Sequence, residues 1–282
     1  DVRIHYVASG PEDKPLMLFL HGFPEFWYSW RNQIREFQKD YRVVAIDQRG
    51  YSESSKPEGV DNYSLDKLTS DVDEVIQALG YKSCVLVAHD WGGVVAWDFG
   101  LRYPDRVDKL IVMNGPPFPV FKNILETNEE QAKKSRYVFF FQLPYLPELT
   151  ISLDDFAVFN TLLPTKYRKE TSENKDEAIQ EHVAPYKYTF SQPGALTPPL
   201  NYYRHLMTKG YASAAERDLK YLMPALLIWG SQDKALDIAI PNTIEKEVPT
   251  VEVKKIPNGN HFVQTDAPDE VNNAMREWLN EH

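Results

Sequence analysis

Three residues stand where their types could act together on an electrophile. Asp90 closes the apolar run Cys84-Val85-Leu86-Val87-Ala88 after His89 and precedes Trp91-Gly92-Gly93, where a helical pattern takes over. Asp233 comes just after the run Leu222 to Gly230, and His261 comes after the run Val251 to Ile256. A carboxylate can attack carbon directly and hold the product as an ester, splitting one hard step into two. A histidine can then take a proton from water, and a second carboxylate can orient that histidine and stabilise its imidazolium. Taken singly, each residue has a plainer reading: a helix N-cap for Asp90, a turn residue for Asp233, a capping or core histidine for His261. Their shared position past the ends of apolar runs favours chemistry. Asp237 is the rival to Asp233.

The elements that must hold these residues are legible as strands and helices in alternation. Leu16 to Leu20, Tyr41 to Asp47, Cys84 to Ala88, Val107 to Asn114, Leu222 to Gly230 and Val251 to Ile256 are short apolar runs, as strands buried on both faces would be. Residues 1–8 alternate like a further strand. "SLDKLTSDVDEVIQALG" reads as a helix with Ser64 as N-cap, an apolar face from Leu65, Leu68, Val72, Val75, Ile76 and Leu79, and Gly80 at its end. A closing helix is expected from about Asp269 to Asn280. This order predicts a mostly parallel sheet flanked by helices, with ligands at the carboxyl ends of its strands, where His21, Asp90, Asp233 and His261 all fall. From Gly115-Pro116-Pro117 to about Asp218 the texture changes to aromatic residues, proline and charge, and a mostly helical insertion is expected. The expected organisation is therefore a core over 1–115, a helical cap over 116–218 and the rest of the core over 219–282.

A strand that turns sharply into a helix holds its turn residue tight and exposed above the sheet. In the nucleophile elbow G-x-S-x-G that residue is serine; Ala88-His89-Asp90-Trp91-Gly92 puts Ala at the first small position and Asp in place of Ser. The chain order, nucleophile then acid then histidine, is the one expected for that fold. The chain resembles the epoxide hydrolase family of the α/β-hydrolase fold. The resemblance is carried by "HGFPEFWYSW" (21–30), "VAHDWGG" (87–93), "PLNYYRHL" (199–206), "WGSQDKALD" (229–237) and "GNHFVQTDAP" (259–268), which together span nearly the whole chain.

The resemblance implies conversion of an epoxide and water to a vicinal diol through an alkyl ester on Asp90. Asp233 and His261 would activate water against that ester. The backbone N–H groups of Trp91 and Phe23 would form the oxyanion hole, and a cis Phe23-Pro24 bond would aim Phe23. A cap tyrosine would protonate the opened ring; Tyr203 of "NYYR" matches it, with Tyr202 as fallback. The substrate would be a small apolar epoxide in a tunnel under the cap, and Trp27, Phe140 and Tyr137 are the candidates for lining it. No metal and no cofactor is required. One departure stands in the cap. Family members with two cap tyrosines, as aligned, place the first two residues before the Gln of this region; "RYVFFFQ" gives Phe140 there, with Tyr137 and Tyr145 out of register. A single tyrosine acid is the expectation. The rivals are a haloalkane dehalogenase, which shares "HDWGG" but needs no acid for its leaving group, and a ligand-binding pseudo-enzyme.

Composition narrows the partners. The chain has 282 residues, ample for one large α/β domain with an insertion, and a net charge of −10 that disfavours nucleic acid. Its one cysteine, Cys84, can form no disulfide within the chain and reads as a small core residue. No apolar run approaches the roughly 18 residues of a membrane span. The chain begins at Asp1 in strand-like sequence, so the expected location is cytoplasmic, or membrane-associated through a segment preceding Asp1; a monomer or a dimer is compatible with it. His21 and His89 are expected to be structural, Glu25 to anchor a loop, and the acidic runs at 126–130 and 170–181 to be solvated helix faces.

Overall fold

A computed structural model describes residues 2–163, 175–207 and 218–282. The acidic run 170–181 lies outside the residues whose side chains are described, as do parts of the insertion at 164–174 and 208–217; Glu126, Glu129 and Glu130 are exposed. Seven strands form one sheet: β1 (Tyr6–Ser9), β2 (Leu16–Leu20), β3 (Arg42–Ile46), β4 (Cys84–His89), β5 (Val107–Met113), β6 (Ala225–Gly230) and β7 (Val251–Ile256). Their order is β1-β3-β2-β4-β5-β6-β7. Only β1 runs antiparallel, against β3; the remaining pairs are parallel.

Strand residues alternate strictly between two cores, the period-2 consequence of the pleat. Leu16, Leu18, Leu20, Leu86, Ala88, Leu110 and Val112 pack on one face. Met17, Phe19, Val85, Val87, Ile111 and Met113 pack on the other. Because both faces are covered, the central strands read as continuous apolar runs. The second face is covered by α1 (Arg31–Phe37), through Phe37, and by a carboxyl-terminal helix (Pro268–Glu281), through Val271, Met275 and Trp278. The first face is covered by α2 (Leu65–Ala78) and α3 (Trp91–Arg102). Ser64 caps α2 as expected: its hydroxyl accepts from the Lys67 N–H at 3.4 Å. Cys84 is buried and free, and burial pushes its thiol pKa up.

Between β5 and β6, which are neighbours in the sheet, the described chain is helical. It runs through α4 (Phe118–Thr127), α5 (Glu129–Lys134), α6 (Arg136–Phe140), α7 (Leu146–Leu162, kinked at Leu153–Phe156), α8 (Lys175–Ser191) and α9 (Thr197–His205). After β6 come α10 (Ala239–Glu247), the short α11 (Val263–Asp266) and α12, the carboxyl-terminal helix already described. The α4–α9 segment lies over the carboxyl ends of the strands and is tied down there: the Tyr202 hydroxyl donates to the Arg49 carbonyl at 2.7 Å. Arg49 is itself locked to Asp71 of α2 by two hydrogen bonds of 2.5 Å. No helix among the described residues is long and apolar enough to cross a membrane.

Candidate active site

Asp90 occupies the turn between β4 and α3 with φ 50° and ψ −119°. A non-glycine residue there costs on the order of 1–3 kcal/mol and persists only when its surroundings fix it. The close packing of small residues does so. A Cβ on Gly22 would lie 2.4 Å from the Asp90 Cβ, one on Gly92 would lie 2.3 Å from the Leu20 carbonyl oxygen, and one on Gly115 would lie 2.7 Å from the Asp90 carbonyl oxygen. The glycines after the aspartate and at the ends of β2 and β5 thus let three loops meet around one carboxylate.

The two carboxylate oxygens have separate tasks. Oδ1 accepts from the Phe23 backbone N–H at 2.8 Å, and the Phe23–Pro24 bond is cis. Oδ2 lies 3.4 Å from His261 Nε2. On its other side His261 Nδ1 lies 2.8 Å from Asp233 Oδ2. Asp233 is held by every available lone pair: Oδ1 accepts from the N–H groups of Ala235 and Leu236 at 2.7 and 2.8 Å, and Oδ2 also accepts from Asn114 Nδ2 at 2.7 Å. Asp237 turns elsewhere, to Lys134 Nζ at 3.0 Å and the Ala239 N–H at 3.0 Å.

Electrostatics follow from this arrangement. Burial alone would push both aspartates up, but the hydrogen bonds and charge of His261 more than offset it, and both carboxyls lie below their ordinary pKa. Burial pulls His261 down; the two carboxylates outweigh it and raise its pKa well above the usual histidine value. Each of these effects favours the charged forms, an imidazolium between two carboxylates.

Two cavities meet at Asp90. The larger, about 460 Å³, is lined by Phe23, Phe140, Phe141, Phe159 and His261 among others. The smaller, about 50 Å³, lies among Trp91, Phe118, Phe121, Leu125 and Leu236. Asp90, Tyr137 and Tyr203 line both. The Tyr137 and Tyr203 rings meet edge to face with centroids 6.1 Å apart, and the Tyr203 ring also stands edge to face on Trp91 at 5.0 Å. Burial first, and the charge of Asp90 next, raises the pKa of each phenol.

Tyr137 is not displaced from the site by its spacing: α6 puts residues 137, 140 and 141 on one face, so Tyr137 and Phe140 both reach the larger cavity. Tyr145 is 85% exposed and faces solvent. Tyr202 is committed to the Arg49 carbonyl. Trp27 lines neither cavity. It sits in a 3₁₀ turn (Trp27–Trp30), its N–H donates to Asp47 Oδ1 at 2.8 Å, and its ring packs on Phe26 and Tyr28. His21 is structural: its Nε2 accepts from the Gln48 N–H and its Nδ1 donates to the Gly22 carbonyl. Of the two expected oxyanion donors, the Phe23 N–H contacts Asp90 Oδ1 at 2.8 Å. Sequence reasoning missed Asn114. It closes β5 as Asp90 closes β4, and its Oδ1 accepts from the Gly230 N–H at 2.8 Å while its amide holds Asp233.

Comparison with known proteins is consistent in direction. Residues 15–268 match the alpha/beta hydrolase fold family. The chain is 45% identical to epoxide hydrolase 1 of Caenorhabditis elegans, in an alignment covering 100% of this chain and 69% of that protein. It is 41% identical to epoxide hydrolase 4 of Homo sapiens, covering 99% of this chain and 76% of that one. The crystal structure of the Bacillus megaterium epoxide hydrolase in complex with an inhibitor superposes with a TM-score of 0.83 at 36% identity, over 99% of this chain and 97% of that one.

Proposed function

Because the chain belongs to the epoxide hydrolases of the α/β-hydrolase fold, we propose that it opens its epoxide by attack of Asp90 Oδ2 on a ring carbon and releases the diol by hydrolysis of the resulting ester. The observation that carries this reading is the division of labour on Asp90. One oxygen is tied to the Phe23 N–H, and the other lies beside His261 and the two cavities that also hold Tyr137 and Tyr203.

In the first step the Asp90 Oδ2–carbon bond forms, the ring C–O bond breaks, and its electron pair goes to the ring oxygen. Tyr203 and Tyr137 stabilise that oxygen by hydrogen bonding, and a phenol proton is transferred to it. Their raised pKa values keep both phenols protonated until that moment. Esterification removes the negative charge of Asp90, and with it part of what holds His261 protonated. The imidazolium proton then restores the phenol, and His261 becomes a neutral base.

In the second step His261 Nε2 takes a proton from water as the water oxygen bonds to Asp90 Cγ. The tetrahedral oxyanion develops on Oδ1, where the Phe23 N–H already points. Asp233 stabilises the imidazolium. Collapse breaks the Cγ–Oδ2 bond, the diol leaves with the second water proton, and the carboxylate is regenerated. The apolar larger cavity suits a small apolar epoxide. The placement of Tyr137 and Tyr203 beside Asp90 supports the enzyme reading over the pseudo-enzyme.

A single turnover in ¹⁸O-labelled water tests the scheme. The first diol should be unlabelled at the newly made hydroxyl, and the label should appear in the peptide containing Asp90. Label in the first diol would mean that water attacks the epoxide directly, and the ester route would be wrong.

A further inference from the structure

The unequal size of the two cavities has a chemical meaning. A bound epoxide with its oxygen toward Tyr137 and Tyr203 and a ring carbon at Asp90 must send its substituents into the spaces those three residues share. One space is about 460 Å³ and the other about 50 Å³. A dry cavity of roughly 150 Å³ admits benzene, six carbons. By that measure the smaller pocket holds about two carbons and the larger well over ten.

The walls of the small pocket are apolar. Phe118 and Phe121 of α4 pack against each other with centroids 6.3 Å apart, and Val138, Leu206 and Leu236 around them are buried. Apart from Asp90, Trp91, Tyr137 and Tyr203, no lining side chain carries a polar group that could pair with a hydroxyl or carboxylate on the short arm.

We propose that the small pocket sets the substrate class: epoxides with one long apolar arm and one short apolar arm of at most about two carbons, with Phe118, Phe121 and Leu125 as the specificity-determining residues. The proposal rests on the epoxide-opening reading above. It makes terminal and near-terminal epoxides the preferred substrates and mid-chain epoxides poor ones.

The test compares two isomers of equal carbon count, 1,2-epoxydodecane and 6,7-epoxydodecane, on the whole protein. The terminal isomer should have the larger kcat/KM by at least tenfold, since each methylene that a small apolar pocket cannot take costs roughly 10-fold or more. Phe121→Ala and Leu125→Ala should each shrink that ratio by about tenfold, whatever they do to the absolute rates, because they lengthen the short side alone. A wild-type ratio within threefold of unity overturns the proposal, even where a variant fails to fold. An unchanged ratio in folded variants assigns the selectivity elsewhere and overturns the role of these residues. Failure to hydrolyse either isomer, or any terminal epoxide, would instead bring down the function on which the proposal stands.

Discussion

The rings of Tyr137 and Tyr203 meet edge to face, 6.1 Å between centroids, and both line both cavities beside Asp90. If both phenols serve the ring oxygen, as proposed, removing either should cost only part of the effect. A hydrogen bond to a developing anion contributes about 1.5–3 kcal/mol, or about 10–100-fold in rate. Tyr137→Phe and Tyr203→Phe should each slow single-turnover formation of the Asp90 ester by about that factor. The double variant should lose on the order of 10²–10⁴, the scale of a missing general acid. Rapid-quench kinetics with mass detection of the ester would measure all three. If Tyr137→Phe ran at the wild-type rate, Tyr203 would be the sole acid, as the spacing to Gln142 first implied.

Asp233 and Asp237 lie four residues apart but in different networks. Only Asp233 touches His261, at 2.8 Å; Asp237 is occupied by Lys134 and the Ala239 N–H. Asp233→Asn should slow ester hydrolysis more than ring opening, because the imidazolium forms in hydrolysis. The alkylated protein should then accumulate in intact-mass spectra. Asp237→Asn should leave the ester transient. Accumulation in the second variant and not the first would reassign the acid.

How far the sequence foretells this site depends on what sets each residue's direction. Strands such as Leu16–Leu20 and Cys84–His89 are buried at every residue, so their apolar runs declare them. Asp90, Asp233 and His261 are found because they follow such runs. The register argument against Tyr137 as a second acid, a count back from Gln142, ignores helix phase: on α6 the residues that share a face are three and four apart. Asn114 was passed over because an asparagine after a strand looks like any turn residue; only the approach of β6 and the Asp233 loop gives its amide two partners. Trp27 lines neither of the two cavities at Asp90, because its ring packs on its own neighbours Phe26 and Tyr28.

The pH behaviour of His261 should depend on the state of Asp90. Its pKa is raised against the pull of burial by Asp233 and Asp90 together. The stability gained from a raised histidine is fully present below the unfolded value, about 6.5, and is lost as pH rises through the folded value. In Asp90→Asn one carboxylate is gone, so the raise is smaller and that loss should be complete at lower pH. NMR titration of the imidazole should show the drop directly. The ester form has lost the same charge, so its hydrolysis should accelerate with rising pH through a value below that of the resting enzyme. An identical His261 titration in wild type and Asp90→Asn would contradict this coupling.

Beneath the site, Glu25 and His89 form a fully buried pair that joins three loops. Glu25 Oε2 accepts from the Gly22 N–H at 3.0 Å and lies 2.6 Å from His89 Nδ1, while Oε1 accepts from Gln264 Nε2 at 2.9 Å. His89 Nε2 donates to the His261 carbonyl at 2.8 Å. The oxyanion loop, the end of β4 and the His261 loop are thus fixed to one carboxylate. Burial pushes Glu25 up, but the charge and hydrogen bond of His89 pull its pKa below the ordinary glutamate value. A depressed carboxyl contributes stability above its unfolded pKa and loses it as pH falls, so the pair should weaken only in acid. Glu25→Ala strands buried donors on Gly22, His89 and Gln264, and breaking such a pair costs about 3–5 kcal/mol. Denaturant melts should show that loss at neutral pH and a smaller one under acid conditions, where wild-type Glu25 is itself protonated. Glu25→Gln keeps the shape, but its amide can turn only its oxygen or its NH₂ toward His89 and Gly22. It should retain more stability than the alanine variant yet still slow ester hydrolysis, because the His261 loop is anchored through His89. An alanine variant as stable as wild type at neutral pH would show that the three loops hold their places without this pair.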